Sequence, residues 1–478
     1  MLIWFVILYI IVSVAIGLYA ATKVKNSQDY VVAGHHLPLP FIVATVFATW
    51  FGSETVLGIP AKFLNEGLKG VIADPFGSSM CLVLVGLFFA RPLYRMNLLT
   101  IGDFYRARYN RAVELATSIC IVISYLGWVS AQITALGLVF SVLTNGAIEP
   151  WQGMVIGTAI VLLYTLAGGM FSVAFTDLFQ MCVILLGMIY IATVVSGVAG
   201  GAGVVIAHAA NASKFEFWPA LAPRDVIAFI AAWITMGFGS IPQQDVFQRV
   251  SAAKDEQTAG RGSVIGGCIY FCFAFIPMFL AYSATLIDPN LVAKHIDADS
   301  QYILPNLILT HTPFFAQVIF FGALLAAIMS CSSATLLAPA VTFAENVLKP
   351  FLPKLADWQF LRVLRFVVLL FALAVLTFAL TSGSTIYGMV ESAYKVTLVA
   401  AFTPLAFGLY WKRATTQGAA CAVVLGLATW MVLEIVNPAG LLPPQFAGWL
   451  ASIFGMVAGS LAPQWYGGGH HRLHTEAA

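Results

Sequence analysis

Charge is what this chain has least of. Only 9% of its 478 residues are Asp, Glu, Lys or Arg, 60% are hydrophobic, and the mean hydropathy is +0.91. A soluble domain covers its surface with about 25% charged residues, so a water-soluble fold of this length is excluded. The formal net charge of +2 offers no basic surface for nucleic acid. No polar stretch is long enough to fold by itself, which argues against an attached kinase, ATPase or sensor module. No Gly-rich phosphate loop follows a strand, and no nucleophile elbow or metalloprotease helix is present. His208, His295 and His311 sit in or beside loops, so no Ser/His or metal constellation stands at membrane depth, and enzymatic activity is not expected. All seven cysteines (81, 120, 182, 268, 272, 331 and 421) fall in hydrophobic segments. Their spacings match no zinc pattern, and disulfides are not expected.

What is present is a series of apolar stretches, each long enough to cross a bilayer, for which about 20 residues suffice. Thirteen spans are expected: 1–21, 38–59, 70–92, 113–142, 151–169, 173–199, 224–247, 261–285, 313–345, 360–382, 387–410, 416–436 and 444–464. The first has no basic residue ahead of it and no small-residue cleavage site behind it, so it reads as a retained helix. With the N-terminus outside, one set of loops carries seventeen Lys and Arg residues, Arg249 among them, against five on the other. That asymmetry predicts a cytoplasmic C-terminus. The loop at 286–312, with His295, Asp297, Asp299 and His311, reads as a wet outer loop with a short helix. The Gly- and His-rich tail at 465–478 reads as disordered.

Two spans cannot be simple helices. Span 2 contains ATWFGSETVLGIP (48–60), where Gly52, Gly58 and Pro60 weaken helical hydrogen bonding and Glu54 brings a carboxylate to membrane depth. Span 7 contains TMGFGSIPQQDVF (235–247), and Phe51-Gly52-Ser53 recurs there as Phe238-Gly239-Ser240. Interrupted helices at matching places in two halves mark the substrate and ion site of a secondary transporter.

Glu54, Asp177, Asp245, Glu391 and Lys395 are the ionisable residues placed within spans or at their ends, where such groups are functional or paired. Glu54 reads either as a charge favouring the N-terminal end of the second half-helix or as a substrate or proton contact. Glu391 and Lys395 share one helical face and read as a structural ion pair. Asp177 is expected to hold Thr176 and nearby backbone at the Gly168-Gly169 turn, and Asp103 to cap an intracellular helix.

The stretch LYTLAGGMFSVAFTDLFQ (163–180) resembles the signature of the sodium:solute symporter family, as do Ala33-Gly34, IGDFYRARY (101–109) and AAIMSCSS (326–333). The resemblance covers residues 29 to about 435. It implies an all-α integral membrane protein with a LeuT-type core of two inverted five-helix repeats and about thirteen transmembrane helices. The first repeat would be 38–199 and the second 224–410, with an extra helix at 1–21 and two C-terminal helices within 416–464. The resemblance also implies a sodium site with carbonyls from Ala48, Phe51 and Ala327 and the hydroxyl of Ser330. Cys331 stands where the family usually has a second hydroxyl, and a thiol is a poor ligand for Na⁺.

GLFFARPLYR (86–95) and IPQQDVFQRV (241–250) are most similar to the choline transporter branch. Trp50 and Trp128 match aromatic positions that would face a quaternary ammonium there. Gln243 replaces a Trp of that branch, and no Tyr stands opposite in the third span.

The chain is therefore expected to be a multi-pass protein of the cytoplasmic membrane that couples Na⁺ entry to uptake of a small polar organic solute. Trp50, Ser53, Glu54, Trp128, Gly239, Gln243 and Lys395 are the expected substrate contacts. Gln243 and Lys395 tilt the expected solute toward a zwitterion or an anion. Proton coupling through Glu54 is the alternative. The solute, the stoichiometry and the oligomeric state are left open.

Overall fold

The computed structural model describes residues 2–352 and 355–466. Every expected span coincides with helix. The one β pairing among the described residues is an isolated bridge between Leu37 and Ala253. Leu37 N donates to Ala252 O (3.0 Å) and Lys254 N donates to Leu37 O (3.0 Å), tying the entry of span 2 to the C-terminal end of span 7. Among the described residues nine continuous helices are long and apolar enough to cross a membrane, or ten with one bent pair. That measure does not confirm thirteen. Spans 5 and 6 form one helical stretch, Pro150–Val198, and the outer end of span 2 runs into span 3 over Glu54–Arg95.

Within Pro150–Val198 the direction changes at Gly169, whose φ of 50° lies in the left-handed region that favours glycine. A Cβ there would meet Tyr30 O at 2.3 Å. The Gly-Gly of the signature thus lets the backbone of residue 30 pass against this corner.

The centre is Phe314–Thr342, where every residue from Ala323 to Thr342 is buried. The first and twelfth helices, Leu2–Ala21 and Thr416–Val436, bury only 22% of their most apolar stretch, against 67% for Phe314–Phe351. Their exposed Trp4, Leu8, Val432 and Ile435 form the apolar outer surface that a bilayer requires.

Both broken spans are broken, at fewer residues than the sequence suggested. Leu39–Trp50 ends at Phe51 (ψ 70°), and helix resumes at Glu54. Gly58 and Pro60 remain helical, because Glu54–Gly58 is a wide π-helical turn that runs directly into Ile59–Glu66 and accommodates the proline. Pro223–Gly239 and Gln244–Ala252 meet at a 47° bend.

Arg249, expected in a loop, is 2% exposed on the second half of span 7. Its removal leaves the loop asymmetry in place. Asp103 forms a capping box with Thr100 as expected. In the 286–312 loop Asp288 caps Pro289–His295, and the Leu291 amide, followed by His311, holds its carboxyl below the usual range. Residues 467–478 of the Gly- and His-rich tail lie outside the described residues.

Candidate functional site

The break in span 2 exists because other helices press on it. A Cβ at Gly52 would lie 2.8 Å from Cys331 Sγ and 2.8 Å from Gln132 Oε1. Only glycine fits there, and Gln132 Oε1 accepts the Ser53 amide at 2.8 Å. Gly239 plays the matching part in span 7, where a Cβ would stand 2.5 Å from Tyr394 O. Its carbonyl accepts from Thr397 Oγ1 at 2.6 Å. The two breaks share a further trait: the hydroxyls of Ser53 and Ser240 are buried without a hydrogen-bond partner.

Around the first break the rings converge. Trp50 lies 5.6 Å from Trp128 and 6.0 Å from Tyr394, centroid to centroid, and Trp128 lies 5.4 Å from Tyr394. Tyr270 meets Trp50 edge-on at 6.5 Å, and Tyr125 stacks on Trp128 at 5.8 Å. All five are buried. Sequence reasoning found Trp50 and Trp128 but not the three tyrosines, of which Tyr270 and Tyr394 stand 220 and 344 positions from Trp50 and Tyr125 lies one turn from Trp128 on span 4. No local pattern singles them out among 16 tyrosines.

Unsatisfied polar atoms surround this cluster: Tyr394 Oη, Gln132 Nε2, Glu54 Oε1 and Ser53 Oγ are all buried and unpartnered. Such groups cost free energy unless something hydrogen-bonds them.

Gln243 does not join them. Its Nε2 donates to Ser124 Oγ (3.0 Å) and approaches Thr397 Oγ1 (3.4 Å), so its amide braces spans 4, 7 and 11. Lys395 is half-buried and makes no hydrogen bond, ion pair or cation–π contact among the described residues, nor does it pair with Glu391. Glu391 instead lines a cavity of about 470 Å³ with Lys62, Lys69 and Tyr387. The expected Glu391–Lys395 ion pair is absent: Glu391 lines that cavity and Lys395 does not. Tyr394, the preceding residue, is the one that turns toward Trp50.

One turn inward along span 2 lies a second constellation. Asp177 is fully buried and accepts from Thr45 Oγ1 at 2.5 Å and from Ser330 Oγ. The expected role at Thr176 is overturned, since Thr176 Oγ1 donates to Ser172 O and Val173 O within its own helix. Spans 2, 6 and 9 therefore meet through one carboxylate and two hydroxyls, oxygen groups suited to a hard cation. Ala48, Phe51, Ala327 and Cys331 are all fully buried around the same contact of spans 2 and 9.

The sequence profile of the sodium:solute symporter family matches residues 30–426. The chain belongs to that family. This symporter is 26% identical over 440 residues to the high affinity choline transporter 1 of Homo sapiens, spanning 88% of this chain and 75% of that one. It is 26% identical over 481 residues to the osmoregulated proline transporter OpuE of Bacillus subtilis, spanning 95% and 92%. A Na⁺-coupled sialic acid symporter, solved in a substrate-bound outward-open state, superposes with a TM-score of 0.83 at 18% identity over 96% of this chain and 97% of that one. Mhp1, a nucleobase-cation-symport-1 family transporter, superposes with a TM-score of 0.60 at 15% identity, covering 90% and 93%. The fold is LeuT-type, and the protein is a multi-pass secondary transporter of sodium and a small solute, not an enzyme.

Proposed function

We propose that this symporter uses the inward Na⁺ gradient to take up a small organic solute carrying a cationic nitrogen, seated against Trp50, Trp128, Tyr270 and Tyr394. The observation that carries this reading is the buried ring cluster at the break of span 2, with partnerless polar atoms at its edge. Aromatic faces attract a desolvated cation by about 2 kcal/mol or more. Choline and proline, named for the relatives above, both carry such a nitrogen. An anion reading through Lys395 and Gln243 loses its support, because Gln243 is engaged elsewhere and Lys395 makes no contact with the rings.

Sodium would bind at Asp177, Ser330 and Thr45, with carbonyls of Ala48, Phe51 and Ala327 one turn outward. The two repeats at 38–199 and 224–410 would rock around this centre, with the N-terminus outside and the C-terminus in the cytoplasm of the cell in whose inner membrane it sits. The test is uptake into proteoliposomes with Na⁺ or K⁺ outside, against a panel of choline, proline, betaine, pyruvate and glucose. Na⁺-dependent uptake of a nitrogenous cation or zwitterion is expected. Uptake of pyruvate or glucose alone, or uptake indifferent to Na⁺, overturns the reading, and the second outcome points to Glu54 and protons.

A further inference from the structure

Above the ring cluster, toward the outer cavity, two carboxyls face each other. Glu54 follows the break in span 2 and is 4% exposed, while Asp74 opens span 3 and is 1% exposed. Their side chains are within hydrogen-bonding reach of one another. Tyr270 Oη donates to Asp74 Oδ1 at 2.5 Å and lies 3.1 Å from Thr55 Oγ1. Glu54 Oε1 has no partner. The other charged group acting on Glu54 is Glu391, also acidic. Two carboxyls buried together without a basic partner must keep a proton or take a positive charge from outside the protein.

The second observation is the neighbour. Tyr270, whose hydroxyl binds Asp74, is the same residue whose ring closes on Trp50. Tyr270 therefore ties the carboxyls to the aromatic faces. Tyr387 lines the cavity that Glu391 also lines, its backbone N would sit 3.3 Å from a Cβ at Gly58, and its hydroxyl reaches Gly70 O at 3.4 Å.

We propose that Glu54 and Asp74 form a two-carboxyl seat for a nitrogen bearing N–H donors, so that the transported solute is a primary or secondary ammonium and not a quaternary one. This rests on the cationic-nitrogen reading above and sharpens it. Aromatic faces accept either kind of nitrogen, whereas charge-assisted hydrogen bonds need N–H groups. A fully methylated nitrogen would leave Glu54 Oε1 buried and unsatisfied.

Two matched pairs test this: ethanolamine with choline, and proline with its N,N-dimethyl derivative. Each is titrated against the thermal stability of the full-length protein in Na⁺. The wild type should bind the N–H member of at least one pair more tightly by about tenfold or more. Glu54→Gln and Asp74→Asn should each remove that preference while keeping stabilisation by Na⁺ alone, which verifies that the variant folds. Trp50→Ala should weaken both members alike. Tightest binding of a quaternary member, unaltered in both carboxyl variants, overturns the seat and leaves the aromatic reading standing. Loss of the Na⁺ response in Glu54→Gln with no response to any amine also overturns it, and shows the pair holding an inorganic cation. If no member of either pair stabilises the wild type, both readings fall together.

Discussion

Asp177→Asn separates an ion site from a structural strut, because it removes charge while keeping shape. In the wild type the carboxylate is fully buried and takes hydroxyl hydrogens from Thr45 (2.5 Å) and Ser330. The amide still offers one acceptor, so the ion-free protein should lose no more than roughly 1–2 kcal/mol, the difference between charged and neutral hydrogen bonds. It also sheds a buried charge that Arg249 only partly offsets, which recovers part of that loss. Sodium is affected more. A unit charge about 3 Å from a cation at an effective dielectric of ~20 attracts it by roughly 5 kcal/mol, and desolvation cancels part. A net loss of about 2–3 kcal/mol raises the Na⁺ concentration for half-maximal stabilisation roughly 30- to 150-fold. The assay is thermal unfolding of the purified protein titrated with Na⁺ at constant ionic strength, K⁺ making up the difference. No transported solute is needed. An unchanged Na⁺ midpoint would refute the site. A collapse of the ion-free melting temperature with an unchanged midpoint would make Asp177 a strut.

Ser330→Ala should raise the Na⁺ midpoint in the same titration by a smaller factor, about fivefold or more, since one hydroxyl is lost and the carboxylate stays; an unmoved midpoint removes Ser330 from the site. Cys331→Ser should lower the midpoint, because the thiol lies against the unwound backbone at Gly52 and a hydroxyl there is a harder donor; a raised midpoint would place the ion away from residue 331. Trp50→Ala should weaken solute binding while the Na⁺ response persists, and Trp50→Phe should restore part of it; a variant that merely melts earlier, by roughly 3–5 kcal/mol of stability, would mark Trp50 as packing. Gly239→Ala forces a Cβ to 2.5 Å from Tyr394 O and should lower the melting temperature, overpacking costing about 1–3 kcal/mol; a neutral outcome would mean that spans 7 and 11 separate freely.

Local chemistry made the breaks legible. Gly52 and Gly239 announce themselves beside Ser53 and Ser240 within apolar runs, and the structure breaks the helices at those positions. Trp50 was legible for the same reason, being adjacent to a break. What the sequence did not disclose is which distant side chains come to meet it. Tyr125, Tyr270 and Tyr394 carry no local mark, and their role follows from helix packing alone. Gln243 and Lys395 erred in the opposite direction: each has suitable chemistry at a suitable position, but Gln243 is bonded to Ser124 and Tyr394, not Lys395, meets Trp50. Asp177 was assigned to the nearest hydroxyl in sequence, Thr176, while its bonds run to spans 2 and 9. Asp74 is a different kind of miss. An acidic residue at the mouth of span 3 is visible to any count of ionisable groups at membrane depth, but its bond to Tyr270 comes from packing alone.

Span 2 links the two sites on this reading. Thr45 reaches the proposed ion site, Trp50 stands at the ring cluster, and Glu54 lies at the carboxyl pair, all within ten residues of one interrupted helix. A rigid helix would hold these groups in fixed register, but the break at Phe51–Ser53 lets the two halves move separately. Sodium at Asp177 would fix the inner half through Thr45 and the carbonyls of Ala48 and Phe51. That placement orients Trp50, whose carbonyl already takes the Gly52 amide (2.9 Å) and the Thr55 hydroxyl (3.2 Å) of the outer half. A solute bridging Trp50 and Glu54 would fix both halves from the other side. Each ligand then reduces the ordering cost of the other, and linkage requires the gain to be equal in both directions. The check is reciprocal: the factor by which Na⁺ tightens solute binding must equal the factor by which solute tightens Na⁺. Both factors should approach one when Thr55→Ala loosens the bond across the break. Coupling that survives Thr55→Ala undiminished would mean that the two sites communicate through span 9 and Cys331 instead.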